Sequence, residues 1–328
     1  MTVPPGAWLA TVLGLGALVA LDVWHARRPR EVHFREALTW SLIYIGAAAV
    51  FGVIIGATAG ADAATQFFAG YLVEKSLSID NLFVFAVILS QFAVPARHQQ
   101  RVLLIGVIGA LVMRAAFIAA GAAAVQRFTV TFVVFGAFLI YTAVGLVRRH
   151  GEQPNVGGSR PVRLLRRVMP VVEDAPDGVF LTRVGGRRGA TPLLIAVVAI
   201  LSVDLVFALD SIPAIFGITS SAYLVFTANA FALLGLRALY FLVVGLLDRL
   251  VHLHYGLAAV LAFIGVKLVL HYGHTVSPQV PEISTGVSLV VVVLILAIAT
   301  ASSLLAGRPG SPPADTRSDN DAVVSRRR

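Results

Sequence analysis

Apolar runs long enough to cross a bilayer recur along the whole chain, and a few of them carry carboxylates in their interior. A helix needs roughly 20 apolar residues to span a hydrocarbon core of about 30 Å. Runs of that order lie at about 6–25, 38–59, 68–92, 100–123, 128–147, 191–215, 221–246, 254–272 and 285–306. They are continuous rather than alternating, which favours helices over a barrel. The expected fold is all-α and polytopic, with about nine transmembrane helices. Composition agrees, since 58% of residues are hydrophobic and 13% charged, against about 25% charged in soluble domains.

Arginine placement sets an expected orientation. Arg27, Arg28, Arg30 and Arg35 follow the first run, Arg97 and Arg101 follow the third, and the connection over 148–190 is the most basic of all. The connections near Gly60-Ala61-Asp62 and Thr219-Ser220-Ser221 hold no Arg or Lys. The positive-inside rule then puts the amino terminus outside and the carboxyl terminus in the cytoplasm of a bacterial-type plasma membrane. Arg127 is the one weak exception. The first run has no preceding positive charge, unlike a secretory signal, and reads as a retained span. The net charge of +9 is spent on these connections, so no nucleic-acid partner is expected. The 148–190 connection, rich in Gly, Pro and Arg, reads as a mobile cytoplasmic linker with regulation or lipid binding as the lesser reading. The tail over 307–328 reads as disordered.

Two acidic stretches align with each other. Ser78-Ile79-Asp80-Asn81-Leu82-Phe83 matches Ser202-Val203-Asp204-Leu205-Val206-Phe207 at Ser, Asp and Phe. Met113-Arg114-Ala115 and Leu236-Arg237-Ala238 follow at nearly equal offsets, and Ala137-Phe138-Leu139 loosely matches Ala262-Phe263-Ile264. Residues 68–147 and 191–272 therefore read as two copies of a three-helix unit. An odd number of spans per copy inverts the second, and inverted repeats mark secondary transporters with a site at mid-depth.

An ionisable group at mid-bilayer costs roughly 2.5–3.5 kcal/mol on insertion scales, so it needs a compensating role. The candidates for holding a metal are Glu74, Asp80, Asp204 and Asp210, with Ser78, Asn81, Ser202 and Ser211 adding neutral oxygens; Asn229 is a further amide. Such oxygen ligands suit magnesium, calcium and manganese. The chain has no cysteine, which excludes thiolate sites and thiol redox chemistry. Glu74 and Asp80 are six residues apart, as are Asp204 and Asp210. That is about 120° and 9 Å on a straight helix, so neither pair chelates one ion unless its helix breaks. Convergence of Asp80 and Asp204 from the two copies is the better geometry. Pro213 suggests a local irregularity that frees the Leu209 carbonyl.

Lys75, Arg114, Arg237 and Lys267 are the expected counter-ions or gating groups, Lys75 by snorkelling to the outer surface. The competing reading is a salt-bridge network that only fixes helix packing. Gly14-Leu15-Gly16 and Gly52 with Gly56 suggest small-residue helix contacts. No phosphate loop, nucleophile elbow or catalytic histidine constellation is visible, so neither an enzyme nor a cofactor is expected.

Glu74-Lys75-Ser76-Leu77-Ser78-Ile79-Asp80-Asn81, and Ser202-Val203-Asp204 through Asp210-Ser211-Ile212-Pro213, resemble the two signature segments of the TerC integral membrane proteins, the tellurium-resistance-associated family. The likeness is to its nine-span bacterial branch. It covers a transmembrane domain within 1–306, and Arg114, Arg237 and Lys267 stand where that family has basic residues. The resemblance implies secondary export of divalent metal, above all Mn(II), from the cytoplasm. The divalent ion and the lipid bilayer are then the expected partners. Two other readings stay open: a non-transporting membrane partner in stress response or protein insertion, and an exporter of amino acids or small organic cations.

Overall fold

The computed structural model describes residues 3–26, 32–148, 160–172, 178–184, 187–244 and 252–306. The side chains of Asp80, Arg160, Val184, Arg187, Val243, Leu253 and Leu304 lie outside the described residues, as does the tail beyond 306 for which disorder is expected.

Apolar composition makes the chain helical almost throughout. The helices are α1 (Pro5–His25), α2 (Phe34–Ala59), α3 (Ala61–Gln91), α4 (Ala96–Arg127), α5 (Thr131–Arg148), α6 (Arg160–Val168), α7 (Pro192–Phe216), α8 (Ala222–Leu233), α9 (Leu236–Val243), α10 (Leu253–Val276) and α11 (Thr285–Ala306). Seven of them are long and apolar enough to cross a membrane. The bent pair α8–α9 makes an eighth span if counted as one. α3 runs for 31 residues but carries Asp62, Glu74, Lys75 and Asp80, too much charge for composition alone to mark it as a span. The molecule is an all-α polytopic membrane protein. Its outer faces are apolar, with Leu13, Val53, Val112, Val134, Tyr141 and Ile298 all exposed, as a lipid-facing surface requires.

Inside, α3 packs on α8, α4 on α7, and α5 on α10. The α4–α7 contact is close because α4 presents glycine there. A Cβ at Gly106 would sit 2.7 Å from Ile200 Cγ2, and one at Gly109 2.5 Å from Leu201 Cδ2. This approach lets a side chain on α4 reach the middle of α7. Of the glycine pairs expected to hold helices together, Gly52 and Gly56 meet Phe68 and Ala64 of α3, whereas Gly14 and Gly16 face open space. α1 is largely lipid-exposed, so its glycines have no helix to admit.

Two sequence expectations change here. Pro213 does not break α7, which runs on to Phe216. Lacking an amide, the proline still leaves the Leu209 carbonyl without its helical donor, so the carbonyl is freed while the helix continues. The break lies at Leu234-Gly235 instead, where α8 and α9 diverge by 41°. Gly235 has φ +78°, and a Cβ there would lie 2.7 Å from the Tyr44 ring. Only glycine meets both conditions without strain.

The described part of the 148–190 connection is folded rather than a loose linker. After α6, strands β1 (Leu181–Val184) and β2 (Arg187–Ala190) pair antiparallel, with Leu181 opposite Ala190 and Val184 opposite Arg187. Val162 and Ala190 are fully buried in a cluster with Val94, Val102 and Leu193. Thr191 donates to the Val179 carbonyl at 2.7 Å and accepts from the Leu194 amide, tying the hairpin to the start of α7. Apolar residues spaced along an arginine-rich segment supply this core.

Candidate functional site

Asp204 lies twelve residues from each end of α7, and so at mid-depth of that helix. It is 1% exposed. Arg114 of α4 reaches it across the glycine-lined contact and grips it with two bonds, Nη2 to Oδ1 at 2.8 Å and Nε to Oδ2 at 3.2 Å. The same guanidinium donates through Nη1 to Glu74 Oε1 of α3, and to Ser211 Oγ of α7 at 3.3 Å. Arg114 and Glu74 are fully buried. Three helices thus converge on one arginine, which holds a carboxylate from each of the two acidic stretches.

With the groups in their ordinary ionised forms, two carboxylates face one guanidinium. Glu74 Oε2 accepts no hydrogen bond, and Ser78 Oγ, one turn further along α3, also has no partner. On the facing α8, both amide atoms of buried Asn229 are unpartnered. Leaving such groups unpaired costs about 1–3 kcal/mol each, and more for a charged one. These are buried polar groups, acceptors and donors both, without partners of their own.

The other candidate residues do not all join this cluster. Asp210 turns to α5, where Thr142 Oγ1 donates to its Oδ1 at 3.0 Å. Ser202 donates to the Val198 carbonyl of its own helix. Asn81 is buried on α3 and Lys267 on α10; Lys267 forms no ion pair with Glu74, Asp204 or Asp210. The side chain of Asp80 falls outside the described residues. Among those residues, no three His, Asp or Glu side chains are arranged to hold a metal ion. Among the described residues of the expected metal set, Arg114 lies between the Glu74 and Asp204 carboxylates, while Asp210 and Ser202 bond elsewhere.

Lys75 does not snorkel. Its ammonium donates to the carbonyls of Ala232 at 3.1 Å and Leu234 at 3.5 Å. These carbonyls end α8 at the break, where helix C-termini leave acceptors that favour a cation. Arg237 finds a partner that the sequence reading passed over. It grips Asp22 of α1, Nη2 to Oδ1 at 2.6 Å and Nε to Oδ2 at 3.3 Å, and Tyr44 of α2 donates to the same Oδ1 at 2.8 Å. Asp22 is 7% exposed. The signal was present: Asp22 is the single acidic residue of the first apolar run.

The TerC family profile, described as the integral membrane protein TerC family, matches residues 59–308. The "Uncharacterized membrane protein Rv2723" of Mycobacterium tuberculosis is 42% identical over 92% of this chain and 79% of its own length. "Uncharacterized membrane protein STKORF319" of Myxococcus xanthus is 40% identical over 93% of both chains. The Escherichia coli protein named "Putative membrane-bound redox modulator Alx" is 36% identical over 81% of this chain and 86% of its own length. No solved structure matches. A profile match over most of the chain and relatives at these identities, carried by a polytopic helical fold, place this protein in the TerC family of integral membrane proteins.

Proposed function

We propose that the protein is a secondary transporter that exports divalent cations, Mn(II) foremost, from the cytoplasm. The observation that carries this reading is the buried pair Glu74–Asp204 sharing one arginine, with Glu74 Oε2 and, one turn along α3, Ser78 Oγ unpartnered. A hard dication is the ligand such oxygens suit. In the arrangement seen, Arg114 holds both carboxylates, so an incoming dication must compete with the guanidinium for them. Arg114 is then the counter-ion to both carboxylates when no metal binds.

The inverted-repeat reading is supported by reciprocal packing. The first helix of one copy meets the second of the other, α3 with α8 and α7 with α4, and the third helices α5 and α10 meet each other. A pseudo-two-fold axis produces that exchange. Counting α3 and the bent α8–α9 as spans gives nine, with the amino terminus outside under the positive-inside rule. No nucleotide-binding loop occurs in the sequence, so an ion gradient would drive export, by rocking of one copy against the other. The redox role in the name of the Escherichia coli relative would have to run without thiols here, since the chain has no cysteine.

The test is manganese content of cells carrying the protein or its Glu74→Gln variant at controlled external metal. Glu74→Gln keeps a hydrogen bond to Arg114 and removes the excess charge. Export should fall roughly tenfold or more, the factor that 1.4 kcal/mol represents. Undiminished export by a well-expressed variant removes Glu74 from the pathway.

A further inference from the structure

We infer that α6 and the hairpin form a docking surface for the anionic headgroups of the surrounding bilayer. α6 has two faces. Val162 is fully buried against the bundle, with Leu165 and Met169 packed beside it. On the opposite side, Leu164 is 62% and Val168 73% exposed, four residues apart and so on one face. Arg163 and Arg167 lie on one side of that pair and Arg166 lies nearer the Val162 face, and all three are exposed. Arg183 and Arg188 of the hairpin are exposed as well. Over 148–190 the sequence carries nine arginines against four acidic residues, Glu152, Glu173, Asp174 and Asp177, so the connection is basic on balance.

A water-facing helix would have no use for an apolar pair outward and arginines beside it. An interfacial helix has that pattern, with its apolar residues in the acyl boundary and its cations among the phosphates. The location fits. Val162 shares its cluster with Val94 of the α3–α4 turn and Leu193 of the first turn of α7, which places α6 at the end of the bundle, beside the membrane surface. Arginines beside a membrane surface are attracted to anionic headgroups, so an exposed basic face selects anionic over zwitterionic lipid. Charge complementarity and the exposed apolar pair together commit the occupant to anionic phospholipid rather than to a protein.

The absence of cysteine makes the test direct, because Leu164→Cys introduces the only thiol for a spin label. The full-length labelled protein is reconstituted in liposomes of phosphatidylcholine with or without phosphatidylglycerol. Label relaxation by oxygen, which enters lipid, is compared with relaxation by a water-soluble nickel chelate. The expected result is oxygen-dominated relaxation in phosphatidylglycerol vesicles. A shift toward the nickel reagent is expected in pure phosphatidylcholine, and in the Arg163→Gln, Arg166→Gln, Arg167→Gln variant. A label on Val134→Cys, exposed on the span α5, reports that reconstitution succeeded by staying oxygen-dominated throughout. Equal nickel access to position 164 in both lipids overturns the inference and leaves the face for a protein partner. Oxygen-dominated relaxation unaffected by either lipid charge or the arginine changes also overturns it, as contact driven by apolar burial alone.

Discussion

Arg114 and Arg237 occupy matching positions in the two halves, yet the halves use them differently. Arg114 binds two carboxylates, one from α3 and one from α7, and leaves an unpartnered carboxylate oxygen beside it. Arg237 binds one carboxylate, Asp22, whose other donor is a tyrosine. The first cluster joins the two halves and carries excess negative charge; the second joins the second half to α1 and α2 and is balanced. The family profile starts at residue 59, so Asp22 and Tyr44 both come from outside the matched region. One arginine ties α4 to α3 and α7, and the other ties α9 to α1.

Removing the arginines should separate these roles. Arg114→Met strands two buried carboxylates, and breaking a buried pair costs about 3–5 kcal/mol. The variant should lose most of its folded yield in detergent, and a second substitution, Glu74→Gln, should restore part of it by deleting one stranded charge. Arg237→Met strands one carboxylate that keeps the Tyr44 bond, so roughly 2–3 kcal/mol is expected. Thermal unfolding of the purified variants gives the order, and Asp22→Asn should leave manganese export intact where Glu74→Gln does not. If Asp22→Asn abolishes export while preserving the fold, the second cluster belongs to the pathway and the contrast between the two arginines fails.

Next in size is the hinge beside Arg237. Gly235→Ala forces an L-residue into φ +78° and drives a methyl into the Tyr44 ring. A left-handed non-glycine residue costs about 1–3 kcal/mol. The ring that would be displaced also donates to Asp22, so the damage should appear in the balanced cluster. Unfolding measurements on Gly235→Ala in wild-type and Asp22→Asn backgrounds should be non-additive. Additive effects would mean that hinge and anchor are independent.

The sequence shows the spans, the buried arginines and the acidic pair because each is a local departure from an apolar background. It does not show which partner each charge takes, since that depends on which helices the fold brings together. Asp22 and Arg237 are 215 residues apart. Length and flexibility point Lys75 to the surface, whereas the carbonyls that attract it exist only because α8 ends at residue 233. Gly235 gives no comparable signal in a run that reads as one span, whereas Pro213 stands out in a helix that continues past it to Phe216. The hairpin of β1 and β2 is hard to read from sequence because the surrounding arginines and glycines give the segment the composition of a linker.

The smallest expected effects concern which of α1 and α2 fixes the balanced cluster. α1 carries Asp22 and α2 carries Tyr44, and each helix holds glycines of very different surroundings. A Cβ at Gly52 would overlap the Phe68 ring of α3, and overpacking of that kind costs about 1–3 kcal/mol. A Cβ at Gly14 would meet nothing, so Gly14→Ala should raise stability by about 0.5–1 kcal/mol through helix propensity alone. The two substitutions should therefore shift the unfolding temperature in opposite directions. If α2 is the rigid support, Gly52→Ala should also weaken the Tyr44–Asp22 bond, and its cost should shrink in a Tyr44→Phe background. A Gly52→Ala cost that stays the same without the tyrosine hydroxyl would show that α2 packs on α3 for its own sake, and that Asp22 is positioned by Arg237 alone.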